Sequence, residues 1–287
     1  MVQLRIHHRT TYFYRQPVVL GPHRLMLRPR ESLDLRLITM KVATFPASVL
    51  SWTQDVFGNA VATASFSASS ETLTVESSAE LEHYASAWPV FEIAGSAMNY
   101  PFRHSDDEWT DLGALTRPQY ADPAGRLQAW ARSFVRSNPT NTLALLKDLN
   151  AGIPASVRYQ SRDEEGTQTP LHTLDRGWGS CRDFAVLLAE AARSLGFGAR
   201  IVSGYLHTPG STLLGSTNAG TTHAWTEIYV PGAGWITFDP TNGGVGASNL
   251  VPVSVARTIE QTVPVSGTYV GASHDSLGMS VEVRVTS

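Results

Sequence analysis

The chain has 287 residues, 42% of them hydrophobic, and a formal net charge of −3. That length supports a substantial core and predicts two domains, while the near-neutral charge argues against a general nucleic-acid or membrane-surface binder. A single cysteine excludes an internal disulfide framework and any multi-cysteine metal or cluster site.

The opening MVQLRIHHRT lacks the apolar core of a secretory signal, and no later run looks like a membrane span, so a cytoplasmic location is expected. From Val2 to about Tyr84 the pattern is strand-like. Leu4, Ile6 and His8 alternate with Arg5, His7 and Arg9, and Thr10 to Tyr14 is rich in β-branched and aromatic residues. Further strands are predicted at Arg24–Arg28, Leu35–Phe45, Val49–Gln54, Ala60–Ser67 and Leu73–His83. Asp55–Asn59 reads as a hairpin turn, with Gly58 and Asn59 suited to positive φ. Residues 1–85 are therefore expected to form an all-β, sandwich-like domain. Seven arginines and one lysine fall in the first 41 residues, against Glu31 and Asp34. With no stacking motif or reading helix beside them, they are read as a solvated strand face, not a nucleic-acid surface.

Residues 86–122 read as a linker and docking segment, in which Asp106, Asp107, Glu108 and Asp111 suggest a helix start. A helix is predicted from Asp122 through Leu127, Trp130 and Phe134, and another from Thr142 to Ala151. A short strand at Val157–Tyr159 and a polar loop over Ser161–Thr169 follow. Residues 123–250 are assigned to the core domain and 251–287 to strands, near Val251–Val255 and Ser280–Val285, that complete the sheets.

The cysteine lies in GSCRDFAVLLAEAARSL, Gly179 to Leu195. Phe184, Leu187, Leu188, Ala191, Ala192 and Leu195 have the spacing of an amphipathic helix. Ser180 is a plausible N-cap, with Asp183 three residues on completing a capping-box-like arrangement. Cys181 then falls in the first turn, where free N–H groups and the helix dipole lower a thiol's pKa. Gly196-Phe-Gly198 ends the helix, and a strand is expected over Ala199–Leu206. The Gly/Ser/Thr-rich stretch from His207 to Thr222 reads as a lid over the site.

Two later segments offer partners for the thiol: THAWTEIYV with His223, and GWITFDPTNG with Asp239. Together GSCRDFA, SGYL, THAW and FDPTNG resemble the transglutaminase-like cysteine hydrolases of the papain-like superfamily, in the order Cys, His, Asp. RIHHRTTYFY, LRPR and DVFGN resemble the bacterial branch that has its own N-terminal β region. The resemblance implies an α+β fold with a nucleophile helix packed on an antiparallel sheet, and a Cys181–His223–Asp239 triad. It implies a thiol-dependent acyl-transfer enzyme acting on a peptide or protein, without metal or cofactor. Arg182 stands where animal transglutaminases carry Trp directly after the nucleophile. A peptidase or amidase is therefore favoured, with a protein-glutamine transglutaminase or a non-catalytic interaction module as alternatives.

Strand geometry makes the triad testable. If Val230 paired with Trp235, Asp239 would face away from His223, because side chains alternate along a strand. An odd loop, with Val230 opposite Gly234 and Tyr229 opposite Trp235, puts Asp239 opposite Trp225 and diagonal to His223. An odd loop or bulge is predicted, with Gly232 and Gly234 available for positive φ. Taken singly, His223 could be an ordinary strand histidine and Asp239 a cap for the turn at Pro240. Tyr159, Gln168, Trp178, Arg182 and Trp225 are candidates for oxyanion or substrate contacts, although Trp225 and Trp235 read more naturally as packing residues than as substrate platforms.

Overall fold

The computed structural model describes residues 1–162, 166–207 and 220–287. The N-terminal β region contains β1 (Val2–Leu25), β2 (Leu35–Phe45), β3 (Ser48–Gln54), β4 (Ala60–Phe66) and β5 (Ser69–His83). Next come β6 (Asn99–Tyr100), α1 (Asp106–Leu112), α2 (Arg126–Arg132), β7 (Thr140–Asn141) and α3 (Thr142–Ser156). Then follow β8 (Arg158–Tyr159), α4 (Pro170–Arg176), β9 (Trp178–Gly179) and α5 (Cys181–Ser194). The remaining strands are β10 (Gly198–His207), β11 (Gly220–Val230), β12 (Gly234–Asp239), β13 (Gly244–Val245), β14 (Leu250–Ala256), β15 (Val265–Val270) and β16 (Ser276–Thr286).

Several boundaries differ from the sequence pattern. The strand predicted over residues 2–14 continues through the start of the one predicted over 24–28 as a single β1, which ends at Leu25, short of Arg28, and absorbs its irregularity in bulges at Phe13/Val18 and Leu20/His23. At the β3–β4 turn only Gly58 takes positive φ; Asn59 does not. Thr142 opens a helix that runs to Ser156, past the predicted end at Ala151 and through Pro154. Helix α4 and strand β15 were not predicted. The start and stop signals of α4 are present: Thr169 caps it, Pro170 takes the first turn, and Gly177 ends it at φ 67°. Seven residues are too few for a periodicity to reveal it. Most of the stretch read as a lid lies outside the described residues.

The β region is one seven-stranded network in the order β2-β5-β1-β4-β3, with β15 and β16 also paired to β1. Along its first half β1 runs between β5 and β16. The arginines predicted to form a solvated face are largely paired: Arg5 with Glu80 at 3.1 Å, Arg9 with Glu76 at 3.3 Å and Arg36 with Glu82 at 3.9 Å.

A second, five-stranded antiparallel sheet has the order β13-β12-β11-β10-β14. Helix α5 packs on it, tied to β11 where the Thr226 hydroxyl donates to the Ala185 carbonyl at 2.8 Å. The periodicity predicted an amphipathic helix, but residues Asp183–Arg193 of α5 are all buried. Its apolar side faces the sheet and α2–α4. Its polar side is covered as well: Glu190 and Arg193 are about 1% exposed and pair with each other at 2.5 Å. Glu190 also accepts the N–H groups of Gln119 and Tyr120, and Arg193 donates to the carbonyls of Leu115, Ala199 and Arg257. Buried charge is tolerable when paired and fully hydrogen-bonded. The result is a central helix with one end, the cysteine end, left open.

Candidate active site

Cys181 is the first residue of α5 and the only cysteine, partly exposed. Its position follows from Asp183, which is fully buried and collects donors from two elements. The Ser180 N–H and hydroxyl donate to its Oδ2, each at 2.8 Å. The Gln168 N–H donates to Oδ1 at 2.7 Å, and Arg162 Nη2 reaches Oδ1 at 3.0 Å. One carboxylate therefore clamps both the start of the helix and the loop before α4. Arg162 was not anticipated, because nothing in the spacing joins it to a residue 21 positions away.

His223 faces the sulfur from the sheet, with Asp239 bonded to the imidazole. The β11–β12 hairpin pairs Tyr229 with Trp235 and Val230 with Gly234, an odd loop with Gly232 at φ 84° and Gly234 at φ 70°. Asp239 thus falls opposite Trp225 and on the face of His223. His223 Nε2 lies 2.9 Å from Asp239 Oδ2, with both side chains about 4% exposed. That contact leaves the other ring nitrogen, Nδ1, for the thiol. Asp239 also caps its turn: its Oδ1 accepts the Thr241 N–H at 3.0 Å, and Asn242 Nδ2 donates to Oδ2 at 2.7 Å. The two readings of Asp239 coexist in one carboxylate, one oxygen for the turn and one shared with the imidazole. Across the sheet His223 is paired with Gly204. A Cβ at Gly204 would stand 2.1 Å from the Val251 carbonyl and 2.8 Å from the Trp225 ring, so only glycine lets the strands close behind the histidine.

The electrostatics are those of a coupled pair. Burial pushes the Cys181 thiol up, but the hydrogen bond and charge of His223, the Ala224 N–H and Arg182 together bring it below its ordinary value. Burial would lower His223, yet Asp239 and Cys181 raise it to about 9. Burial also disfavours the Asp239 carboxylate, and His223, Asn242 and Thr241 hold it ionised with a lowered pKa. A thiolate–imidazolium pair backed by a carboxylate is the arrangement such couplings favour at neutral pH.

The other candidates divide. Tyr159 is half exposed and stands edge-on to Phe184 at 6.2 Å, and burial first and the charge of Cys181 second raise its pKa. Arg182 turns to the loop, donating to the Gly166 carbonyl at 2.8 Å and the Arg162 carbonyl at 3.3 Å. The Gln168 side-chain nitrogen is occupied by the Trp178 carbonyl and Asp183, so it serves the helix start and is not a free oxyanion donor. The Trp178 ring carries Arg176 at 5.1 Å. Trp225 is 1% exposed and stacks on His223, so it is a packing residue behind the imidazole and not a substrate platform.

Sequence comparison places this arrangement in a family. The bacterial transglutaminase-like N-terminal region matches residues 4–82, and the transglutaminase-like superfamily matches residues 128–240. The chain is a member of the transglutaminase-like superfamily, in the bacterial branch that carries this N-terminal region. An uncharacterized protein of Mycobacterium leprae is 27% identical over 293 residues, covering 99% of each chain. A protein-glutamine gamma-glutamyltransferase of Pseudomonas aeruginosa is 30% identical over 171 residues, 58% of this chain and 24% of that protein. In fold, the chain is similar to the crystal structure of a candidate cysteine protease from Cytophaga hutchinsonii, with a TM-score of 0.75 and 20% identity over 99% of this chain and 91% of that one.

Proposed function

We propose that the protein is a thiol-dependent acyl-transfer enzyme, and that its reaction is hydrolysis of a peptide or isopeptide bond. The observation that carries this reading is the His223–Asp239 contact at 2.9 Å with Cys181 at the start of α5 on the other side of the imidazole. His223 takes the thiol proton, and Asp239 holds the ring oriented and stabilises its charged form. The thiolate attacks the acyl carbon, and the oxyanion meets the Cys181 N–H at the open helix end. The imidazolium then protonates the departing amine, leaving a thioester on Cys181, which water resolves with His223 as base.

Arg182 in place of a tryptophan after the nucleophile supports water as the acceptor. The similarity to the Pseudomonas aeruginosa gamma-glutamyltransferase supports a second reading, in which a lysine amine resolves the same thioester. One experiment separates them. The protein is incubated with a mixture of denatured polypeptides, alone, with hydroxylamine and with a fluorescent primary amine, and products are mapped by mass spectrometry. The expected outcome is new chain ends in water and hydroxamates at the same sites with hydroxylamine, both absent in Cys181→Ser. Amine incorporation at glutamine without cleavage would establish the transferase reading instead. A chain whose thiol alkylates rapidly but gives none of these products would overturn both.

A further inference from the structure

The turn after Asp239 does more than reverse the chain. Residues 239–244, DPTNGG, leave the end of β12 and return as β13, with Gly243 at φ 66° and Gly244 paired with Asp239. Asn150, on α3 and 1% exposed, donates its amide to the Gly244 carbonyl at 3.2 Å and ties the returning strand to the core. Among the described residues, Asn242 is the one that reaches both oxygens of the Asp239 carboxylate. Its backbone N–H donates to Oδ1 at 3.4 Å, beside that of Thr241 at 3.0 Å, and its side-chain Nδ2 donates to Oδ2 at 2.7 Å.

The contact with Oδ2 bears on the imidazole, because Oδ2 also lies 2.9 Å from His223 Nε2. An ionised carboxylate only accepts hydrogen bonds, so the 2.7 Å contact fixes which end of the Asn242 amide is turned to it. The turn itself is capped by backbone N–H groups on Oδ1 and needs no side chain at position 242. Asn242 is exposed while Asp239 is 3% exposed, so the amide meets a buried carboxylate from the solvent side.

We propose that Asn242 is a positioning residue of the triad: its amide pins Asp239 Oδ2 toward His223 and keeps water from that oxygen. Resting on the acyl-transfer reading, this adds a fourth side chain to the site. Two physical consequences point the same way. Without the amide, a carboxylate held only through Oδ1 can turn about Cβ–Cγ, and the contact with Nε2 loses its fixed partner. Water then takes the place of the amide, competes for Oδ2, and weakens the attraction between carboxylate and imidazolium by raising the local dielectric. Oδ2 gains basicity when a donor leaves, but the entering water donates in turn and offsets that gain. The net result is a less stable imidazolium and, because the two groups ionise as a pair, a less stable thiolate.

The test is the iodoacetamide alkylation rate of Cys181 against pH in the full native chain and in Asn242→Ala, with the urea midpoint of each. The native profile should show an acid limb, where the pair forms, and a second step at about pH 9, where the imidazolium loses its proton. In Asn242→Ala the acid limb should move up by about 0.7 pH unit, slowing alkylation there about fivefold, the value of one hydrogen bond. The second step should move down. A lower urea midpoint with both steps unmoved would reduce Asn242 to a turn residue and overturn the proposal alone. A native profile with only an ordinary thiol limb, at about pH 8.5, would remove the acyl-transfer reading and the proposal with it. A second measurement needs no variant: in the native chain the Asn242 side-chain amide protons should shift in NMR as His223 titrates, since both groups share Oδ2. Amide protons that stay still through that titration would equally overturn the proposal.

Discussion

At the scale of single residues, the site depends on three groups whose ionisation is decided by one another. In the native chain the thiolate of Cys181 should be present from below the ordinary thiol range upward, and the His223 imidazolium should persist to about pH 9. Iodoacetamide should therefore alkylate Cys181 rapidly across neutral pH. Removing the imidazole in His223→Ala leaves burial as the dominant influence, which pushes the thiol up. Each unit of that rise cuts the thiolate fraction tenfold, so at pH 7 alkylation should slow by at least about tenfold and recover only in alkali. An unchanged profile would mean that the two side chains are not coupled. Asp239→Ala should act in the same direction, since without the carboxylate the buried imidazole loses its proton at lower pH. His223 and Cys181 were legible because Cys181 is unique and the helix period placed it at an open end. Trp225 was legible as a packing residue near His223, and its place behind the ring depends on β10 and β14.

At the scale of elements, α5 and the β11–β12 hairpin bring the chemistry together. The period-two argument made the hairpin a test of the triad: only an odd loop lets Asp239 share a face with His223, and the loop of Pro231, Gly232 and Ala233 is odd. The beginning of α5 was half legible. Ser180 and Asp183 have capping spacing, but the carboxylate also binds Gln168 and Arg162 from a loop outside that local pattern. Asp183→Ala would leave Arg162, 12% exposed, without its carboxylate partner among the described residues, beside orphaned N–H groups. Loss of one partner from such a pair typically costs about 3–5 kcal/mol. A lower urea midpoint for Asp183→Ala, with Asp183→Asn intermediate, is the expected result. Equal stability of the alanine variant would show that the clamp contributes nothing.

At the scale of the whole molecule, the β region and the core sheet are joined by polar staples set in an apolar contact. Leu4, Ile6, Leu81, Val283 and Val285 pack with Tyr205, Val251 and Val253. Within and beside this layer His8 Nδ1 lies 2.9 Å from the Tyr205 hydroxyl, and His83 Nε2 lies 3.1 Å from the Leu250 carbonyl. Asn59, fully buried, donates to the Val255 carbonyl at 2.7 Å and accepts the Val255 N–H at 2.9 Å. It also accepts from Arg30 at 2.6 Å. A side-chain amide here behaves as one more strand residue, completing the edge of β14. Asn59→Ala should orphan both Val255 groups and cost about 2–4 kcal/mol. Urea unfolding would measure the loss, and protease sensitivity at the β3–β4 turn should rise with it; a change under about 0.5 kcal/mol would remove Asn59 from this role.

Sequence alone determined the features that depend on local period and on residue rarity. These are the strand alternation of the β region, the helix that begins at the only cysteine, and the parity the hairpin must have if Asp239 is to join His223. They are legible because a helix repeats every 3.6 residues and a strand every two, whatever surrounds them. Tertiary structure decided what covers the polar side of α5, how Arg162 and Gln168 come to Asp183, and how Asn59 comes to Val255. Those contacts join residues from 15 to 196 positions apart, and their partners are chosen by which buried donors and acceptors the packed elements leave unmet. No local period records that choice.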